Sequence, residues 1–461
     1  MSAKLARSKR TGTLILLGIF IALLAFIYFF EIKGGASREK REKISKQFFP
    51  VEREAVRRLE LITQKDSLVC ERQASGWQII TPVQTEGDSA MINSYLSSIL
   101  EANIERKVLD TLDDPAAYGL LMPRGKIRII SQSNQVYDLL LGDENPTGDG
   151  MYVQVPTKPA LYTTGTSLWT YASKSLYDLR DKRTMHIDVN SVRRIEVTSR
   201  KKGMVKLEKI GNDWQIIEPV KVAANNNEVQ SLLNRLANGR AKSFVSEHYL
   251  PTAKYGFEQP QVKIKLHLGE SLAQTSFTVG DTARNDGGGF YAYEENRQPV
   301  FTIENWAKDN LIKGAFDLQD KQLLRFGTEQ ADRIVWRLAG QDCAALRLDS
   351  LHWLIVAPET LQVDDGAMKR FINALAELKA DELESYTPKA LKEYGLDQPY
   401  LRLTVFQKDT QLGTILVGKA TSDAYFVKNN QYPFVYRVKK YNVERITKKP
   451  EDLKRIEPEK K

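Results

Sequence analysis

At 461 residues and 42% hydrophobic, the chain is long enough to bury several separate cores. Its formal net charge of +9 sits at the ends: Lys4, Arg7, Lys9 and Arg10 near the start, and ten basic against five acidic residues from Arg437 onward. The body between is balanced, which argues against the basic stripe of a nucleic-acid binder, and two cysteines are too few for a disulfide scaffold.

Residues 1–11 read as a short cationic tail. Gly12 to Phe30 follow as 19 uncharged, mostly apolar residues. As a helix at about 1.5 Å per residue, they nearly span a hydrocarbon core of roughly 30 Å. A cleaved signal is the rival reading, but its apolar stretch usually runs about 7–15 residues, so a membrane anchor is expected. Both flanks are basic, since Lys33, Arg38, Lys40, Arg41, Lys43 and Lys46 follow the apolar run. Charge counting alone therefore sets no orientation. A short cationic tail resists translocation while large downstream domains do not, which places the tail in the cytoplasm and the body outside it. Residues 31–50 then form a charged stalk.

After the stalk the chain repeats itself. Trp77-Gln78-Ile79-Ile80-Thr81-Pro82 returns as Trp214-Gln215-Ile216-Ile217-Glu218-Pro219 and as Trp353-Leu354-Ile355-Val356-Ala357-Pro358. A Tyr-Gly pair follows each Trp at one fixed distance, at Tyr118, Tyr255 and Tyr394. A period close to 138 residues is domain-sized, well beyond solenoid units of about 20–50. Three domains are expected at 51–183, 184–322 and 323–445, with a basic tail at 446–461. The middle copy, with a full set of motifs, is expected to fold alone.

One copy reads as follows. Alternating polar and apolar residues open it as a half-buried strand, Val56–Leu61 and Val192–Val197, with a looser version at Asp332–Trp336. The Trp segment is a strand ended by Pro82, which cannot donate to a ladder. Asp88, Asn225 and Asp364 are helix N-caps. The stripe Ile92, Tyr95, Leu96, Ile99 and its copies face a core. A short helix ends at Gly119, Gly256 and Gly395 as C′ residues. Two strands come next, closed by Gly142, Gly280 and Gly418. A hairpin and a linking helix finish the copy, the latter ending in Asp178-Leu179-Arg180-Asp181-Lys182 and Asp317-Leu318-Gln319-Asp320-Lys321. Strands and helices without strict alternation give an α+β class, hence three tandem homologous α+β domains after one transmembrane helix.

The opening Val-Arg-Arg-Ile-Glu-Val strand, the Trp-x-Ile-x-x-Pro segment, the Tyr-Gly turn and the Asp-Leu-Arg-Asp-Lys junction resemble the family called domain of unknown function 4340, over about Val51 to Tyr441. The resemblance implies an N-terminally anchored bacterial envelope protein, encoded beside a gliding-motility-type ABC transporter. The third copy departs most from the pattern, which points to a specialised surface there.

No catalytic constellation stands out. The histidines His186, His248, His267 and His352 lack metal-site spacing, so no metal or cofactor is expected. Gly287-Gly288-Gly289 lacks the Lys-Ser/Thr of a phosphate loop and reads as a hairpin turn. Asp113-Asp114 and Asp364-Asp365 are adjacent carboxylates with helix-start roles. Cys70 aligns with Leu207 and Leu346 and reads as a small buried hydrophobe. Trp77, Trp214 and Trp353 read as core, leaving Tyr291, Tyr293 and Tyr432 as exposed ligand-contact candidates. The expectation is therefore a non-enzymatic, single-pass protein of the bacterial inner membrane. The bilayer holds residues 12–30, and the extracytoplasmic repeats bind a protein partner such as an ABC-type transporter component. A glycan- or envelope-polymer-binding module is the alternative, and a hydrolase with a site between repeats ranks third.

Overall fold

The computed structural model describes residues 18–24, 45–249 and 253–455. In the first copy, nine strands form one sheet: β1 Val56–Thr63, β2 Ser67–Gln73, β3 Gly76–Thr81, β4 Thr85–Glu86, β5 Arg106–Leu109, β6 Gly125–Ser131, β7 Val136–Glu144, β8 Gly150–Gln154 and β9 Leu161–Gly165. Their order is β4-β3-β2-β1-β6-β7-β8-β9-β5. Neighbours run antiparallel throughout. The second copy, from Val192 to Ile303, and the third, from Arg333 to Lys439, repeat this order strand for strand. The three tandem domains are therefore sheet-rich, with more strand than the sequence suggests. The short strands β4 and β5 and their copies carry too few residues to show an alternating pattern.

Each sheet alternates between a buried and an open face along its central strands, while strands of its hairpin end, such as Leu161–Gly165 and Val300–Ile303, are buried on both. Along β6 the burial alternates strictly, with Gly125, Ile127, Ile129 and Ser131 inside. Against that face lies the long helix of each copy, Ser89–Leu100, Asn226–Asn238 and Asp365–Ala376, through the stripe read from the sequence. Asp88, Asn225 and Asp364 cap these helices, accepting from Met91 N (3.1 Å), Asn227 N (3.0 Å) and Ala367 N (2.6 Å). The other face carries charge pairs such as Arg58–Glu71 (2.6 Å), Arg128–Asp138 (2.7 Å) and Arg194–Glu208 (2.9 Å).

The recurring Tyr-Gly motif is a packing device. Gly119, Gly256 and Gly395 sit at φ 66°, 69° and 67°, the left-handed conformation expected of C′ residues. The preceding tyrosines pack edge-on against the next hairpin: Tyr118 on Tyr152 (4.9 Å, 73°), Tyr255 on Tyr291 (5.1 Å, 69°) and Tyr394 on Phe426 (5.2 Å, 72°). Their carbonyls press on Gly142, Gly280 and Gly418, where a Cβ would lie only 2.2, 1.9 and 2.1 Å from the tyrosine oxygen. These glycines do not close their strand, as the sequence suggests. They sit inside it, beside the register shifts at Leu141/Glu144, Val279/Thr282 and Val417/Ala420. A bulge and a close backbone approach both call for glycine.

Each copy is closed by one strap. A linking helix, Ser167–Ala172, Asn305–Leu311 or Lys440–Ile446, leads to a single helical turn, Leu176–Leu179, Ala315–Leu318 or Pro450–Leu453. An aspartate in that turn accepts from the backbone N–H three residues earlier: Asp178 from Ser175 (2.9 Å), Asp317 from Gly314 (2.7 Å) and Asp452 from Lys449 (2.9 Å). The residue after each turn bridges back to the segment just before the long helix, as Gly87–Arg180, Ala224–Gln319 and Val363–Lys454. The 446–461 reading as a basic tail is thus corrected up to Arg455. Asp452-Leu453-Lys454 is a third copy of the junction, and Leu453 is buried. Charge around it masked the match.

The chain divides into two compact units, Met1–Lys182 and Arg183–Lys461. The core of the first runs from Phe48 to Leu179. In the second, copies two and three share one buried cluster from Met185 to Leu453, so the middle copy does not own its core. The reason is the strap between them. Gln322 bridges to Lys379, Leu323 N donates to Leu378 O (2.9 Å), and Leu323 and Leu324 are buried in the shared cluster. Gln319 is buried where its amide donates to Tyr436 Oη (2.7 Å) and accepts from Tyr386 Oη (3.2 Å).

The anchor expected at 12–30 lies largely outside the described residues. Its described part, 18–24, is helical with Ile19, Phe20, Ile21, Leu23 and Leu24 exposed. Among the described residues no helix is long and apolar enough to cross a membrane.

Candidate functional site

The motif residues are spent on the fold. Trp77, Trp214 and Trp353 are buried, as their alternating positions suggest. Trp77 Nε1 donates to Asn93 Oδ1 (2.9 Å), and the Arg72 guanidinium covers the ring at 4.7 Å. Arg347 covers Trp353 likewise at 5.3 Å. Cys70 and Cys343 are free and buried, and desolvation pushes their thiols up to about 12 and about 11. Thiols held that high are unreactive at neutral pH. Cys70 matches Leu207 but not Leu346. Its register partner in β1 is Leu59, that of Leu207 is Ile195, and that of Ala345 is Ile334, so Ala345 is the third member.

Other sequence candidates are placed as follows. Gly287, Gly288 and Gly289 have φ of 85°, 77° and 85° in the turn between two strands. Asp114 accepts from Ala116 N (3.1 Å) at the start of a short helical turn. The histidines are dispersed: His186 on the segment entering the second copy, His248 beside Gln298, His267 with Glu196 (3.2 Å) and His352 with Asp349 (2.8 Å). The three tyrosines offered as exposed contacts are not exposed. Tyr291 is buried and donates to Asp286 (2.5 Å). Tyr293 stacks on Tyr249 (4.7 Å, 5°) and Tyr432 on Phe434 (5.1 Å, 4°). Strand aromatics near a hairpin turn here pack on neighbouring strands and loops, which spacing does not reveal.

Two features have no counterpart in the sequence reading. The first is a groove of about 680 Å³ in the second copy, between its long helix and its linking helix. Phe277, Ile303 and Leu311 line its apolar part, and Asn227, Gln230, Asn234, Asn238 and Asn310 also line it. Trp306, 66% exposed, stands on the linking helix beside it. The other copies differ at the matching positions. In the first, Tyr171 stands where Asn310 does and packs on Tyr95 (6.1 Å), with Lys174 over that ring at 5.0 Å. In the third, Arg445 and Glu377 stand for Asn310 and Asn238 and pair at 3.3 Å. The carboxamide-rich run Asn225–Asn238 was the available signal.

The second feature is the turn before the third Trp. Arg72 pairs with Trp77 and Lys209 with Trp214, but Arg347 pairs with Trp353, one residue farther along. The longer turn exposes Leu348 and Leu351, at 61% and 70%. Asp349 organises it, accepting from Leu351 N (2.8 Å) and His352 N (2.9 Å) and pairing with the imidazole. Those bonds, led by His352, hold the Asp349 carboxyl down at about 2, while Asp349 and then Asp365 raise the His352 imidazole.

Three like sheets, each closed by one strap, define a tandem sheet-rich repeat protein. Residues 77–215, 214–349 and 353–456 each match the family described as domain of unknown function (DUF4340), and the chain belongs to that family. No curated protein matches the chain.

Proposed function

We propose that the chain is a non-enzymatic, single-pass envelope protein, anchored through residues 12–30, whose repeats bind a membrane-protein partner outside the cytoplasm. The observation that carries this reading is the Leu348–Leu351 turn. It presents two exposed leucines on a turn held by Asp349, in the copy whose sequence departs most from the pattern. Two exposed leucines beside a charged pair are the composition of a small interface core with a polar rim. The exposed apolar helix at 18–24 supports the anchor. The family resemblance makes an ABC-type transporter component the partner to look for first.

The test uses one thiol. Because Cys70 and Cys343 are buried, Leu351→Cys creates an accessible cysteine that a membrane-impermeant photoactivatable maleimide labels on spheroplasts. Irradiation should trap a polytopic membrane protein or its associated subunit, and adding Leu348→Asp should abolish the adduct with the fold intact. Failure to label without lysis overturns the topology. Labelling without an adduct overturns the partner.

A further inference from the structure

We propose that the groove of the second copy is a binding site for a neutral oligosaccharide, distinct from the turn in the third copy. The argument begins with size. A groove of about 680 Å³ falls within the roughly 300–1,000 Å³ typical of small-ligand sites. An apolar floor with a few convergent polar groups is the usual lining of such sites.

The polar groups define the ligand. Asn227, Gln230, Asn234, Asn238 and Asn310 bring carboxamides from two helices to one groove. Each carboxamide offers two donor hydrogens and an acceptor oxygen on one planar group. A sugar hydroxyl is likewise donor and acceptor, so neighbouring hydroxyls on a pyranose ring match such groups without any charge. Trp306 adds the other half of that chemistry. An exposed indole beside polar donors suits the apolar C–H face of a sugar ring, as aromatic rings combine a large apolar face with a polar edge. Charged side chains also stand at the rim. Glu304 pairs with Lys242 (3.2 Å), and the Arg235 Nε donates to Ser231 Oγ (3.3 Å). Arg240 also lines the groove, which makes an acidic sugar the rival ligand.

The repeat supplies an internal comparison. The first copy fills the corresponding space with the Tyr95–Tyr171 pair, and the third spans it with Arg445–Glu377. Short, uncharged side chains at both Asn310 and Asn238 keep the space between the two helices of the second copy open. Phe277 and Leu311 are buried beneath the groove, so the apolar surface it offers a ligand is Trp306, where the first copy has Ser167.

The experiment is a titration of the full-length chain in lipid nanodiscs with chitotetraose and maltotetraose, followed by calorimetry and by indole fluorescence. Saturable binding of at least one is expected, nearly unchanged between low and physiological salt, because no ion pair forms. Trp306→Ala should weaken it by about tenfold, which corresponds to about 1.4 kcal/mol. Asn310→Tyr, which installs the first copy's residue, should abolish it, while Tyr441→Ala on the third copy's linking helix should leave it unchanged. Circular dichroism of each variant separates loss of binding from loss of fold. Should Asn310→Tyr fail to fold, Asn234→Ala gives the same reading by weakening the affinity without filling space. Saturable binding of neither oligosaccharide overturns the proposal. So does salt-sensitive binding of a uronic-acid oligomer in their place, or binding unaffected by Trp306→Ala.

Discussion

The first copy and the pair formed by the second and third are built from one nine-stranded unit, yet they differ in where the core ends. In the first, the buried cluster stops at Leu179, within the copy's own strap. In the pair, the cluster runs on through Leu323 and Leu324 to Leu453. The difference shows how two neighbouring copies come to share one core. The same strap that closes one sheet becomes part of the next when its residues find apolar and hydrogen-bonding partners there. Gln319 illustrates this. It stands at the position of Arg180 and Lys454, and its neutral amide is held between two tyrosines of the third copy. A buried amide with both partners in place contributes rather than costs, whereas an unmatched one would be destabilising.

The strongest way to break that comparison is through the shared core. Trp214→Ala should destabilise the unit Arg183–Lys461 by about 3–5 kcal/mol, as expected for deleting a large buried aromatic. Because the cluster is continuous, reporters in the second and third copies should still unfold in one transition. Two separated transitions in chemical denaturation would show that the copies are thermodynamically independent. A loss below about 0.5 kcal/mol, the surface range, would show an exposed indole.

A smaller effect probes the strap itself. Gln319→Leu keeps the volume and removes both bonds to Tyr386 and Tyr436. Burial already pushes the Tyr436 phenol up to about 12, so its hydroxyl stays neutral, and the variant strips the buried oxygen of the amide that donates to it. The expected loss is about 1–3 kcal/mol in the same unit, the cost of stranding buried polar groups. The first copy, studied as residues 45–182, supplies the contrast. Arg180→Leu there removes the guanidinium bond to Thr85 Oγ1 (3.4 Å), and its different response would measure what the strap contributes in each setting.

The mildest test concerns the third copy's turn. His352 gains Asp349 as a partner, so its folded pKa lies above the unfolded value. Its contribution is therefore fully present below the unfolded value and is lost as pH rises through the folded one. Asp349, held at about 2, contributes above its unfolded value and loses that contribution as pH falls toward 2. Both are satisfied in the window between. An NMR titration should place the His352 midpoint above 6.5, and Asp349→Asn should lower it. A midpoint that ignores Asp349→Asn would mean the turn is not organised as described.

Much of the architecture was legible because it is local and stated three times. A Trp strand, an N-cap, an apolar stripe and a Tyr-Gly turn each depend on residues a few positions apart, and their recurrence separated signal from accident. By itself the sequence determined that there are three copies, where their long helices begin, and that the tryptophans are core. Tertiary structure decided what depends on distant partners. The edge strands of each sheet, such as Arg106–Leu109 beside Leu161–Gly165, are too short to declare themselves without the strand they pair with. The third strap was hidden because charge dominates its composition, although its aspartate and leucine do the same work as in the other two. The phase of the repeat is also a tertiary fact. The matched family segments start at each Trp, whereas each sheet starts at the strand two before it, since a cyclic sequence pattern carries no mark of where a unit closes. The groove was decided last. Whether the space between two helices is open depends on a single side chain, Tyr171, Asn310 or Arg445, and on whatever faces it across that space. No spacing rule within one segment can weigh two elements separated by about seventy residues, because the physical contact that fills or empties the groove exists only after the strap has folded back onto its own sheet.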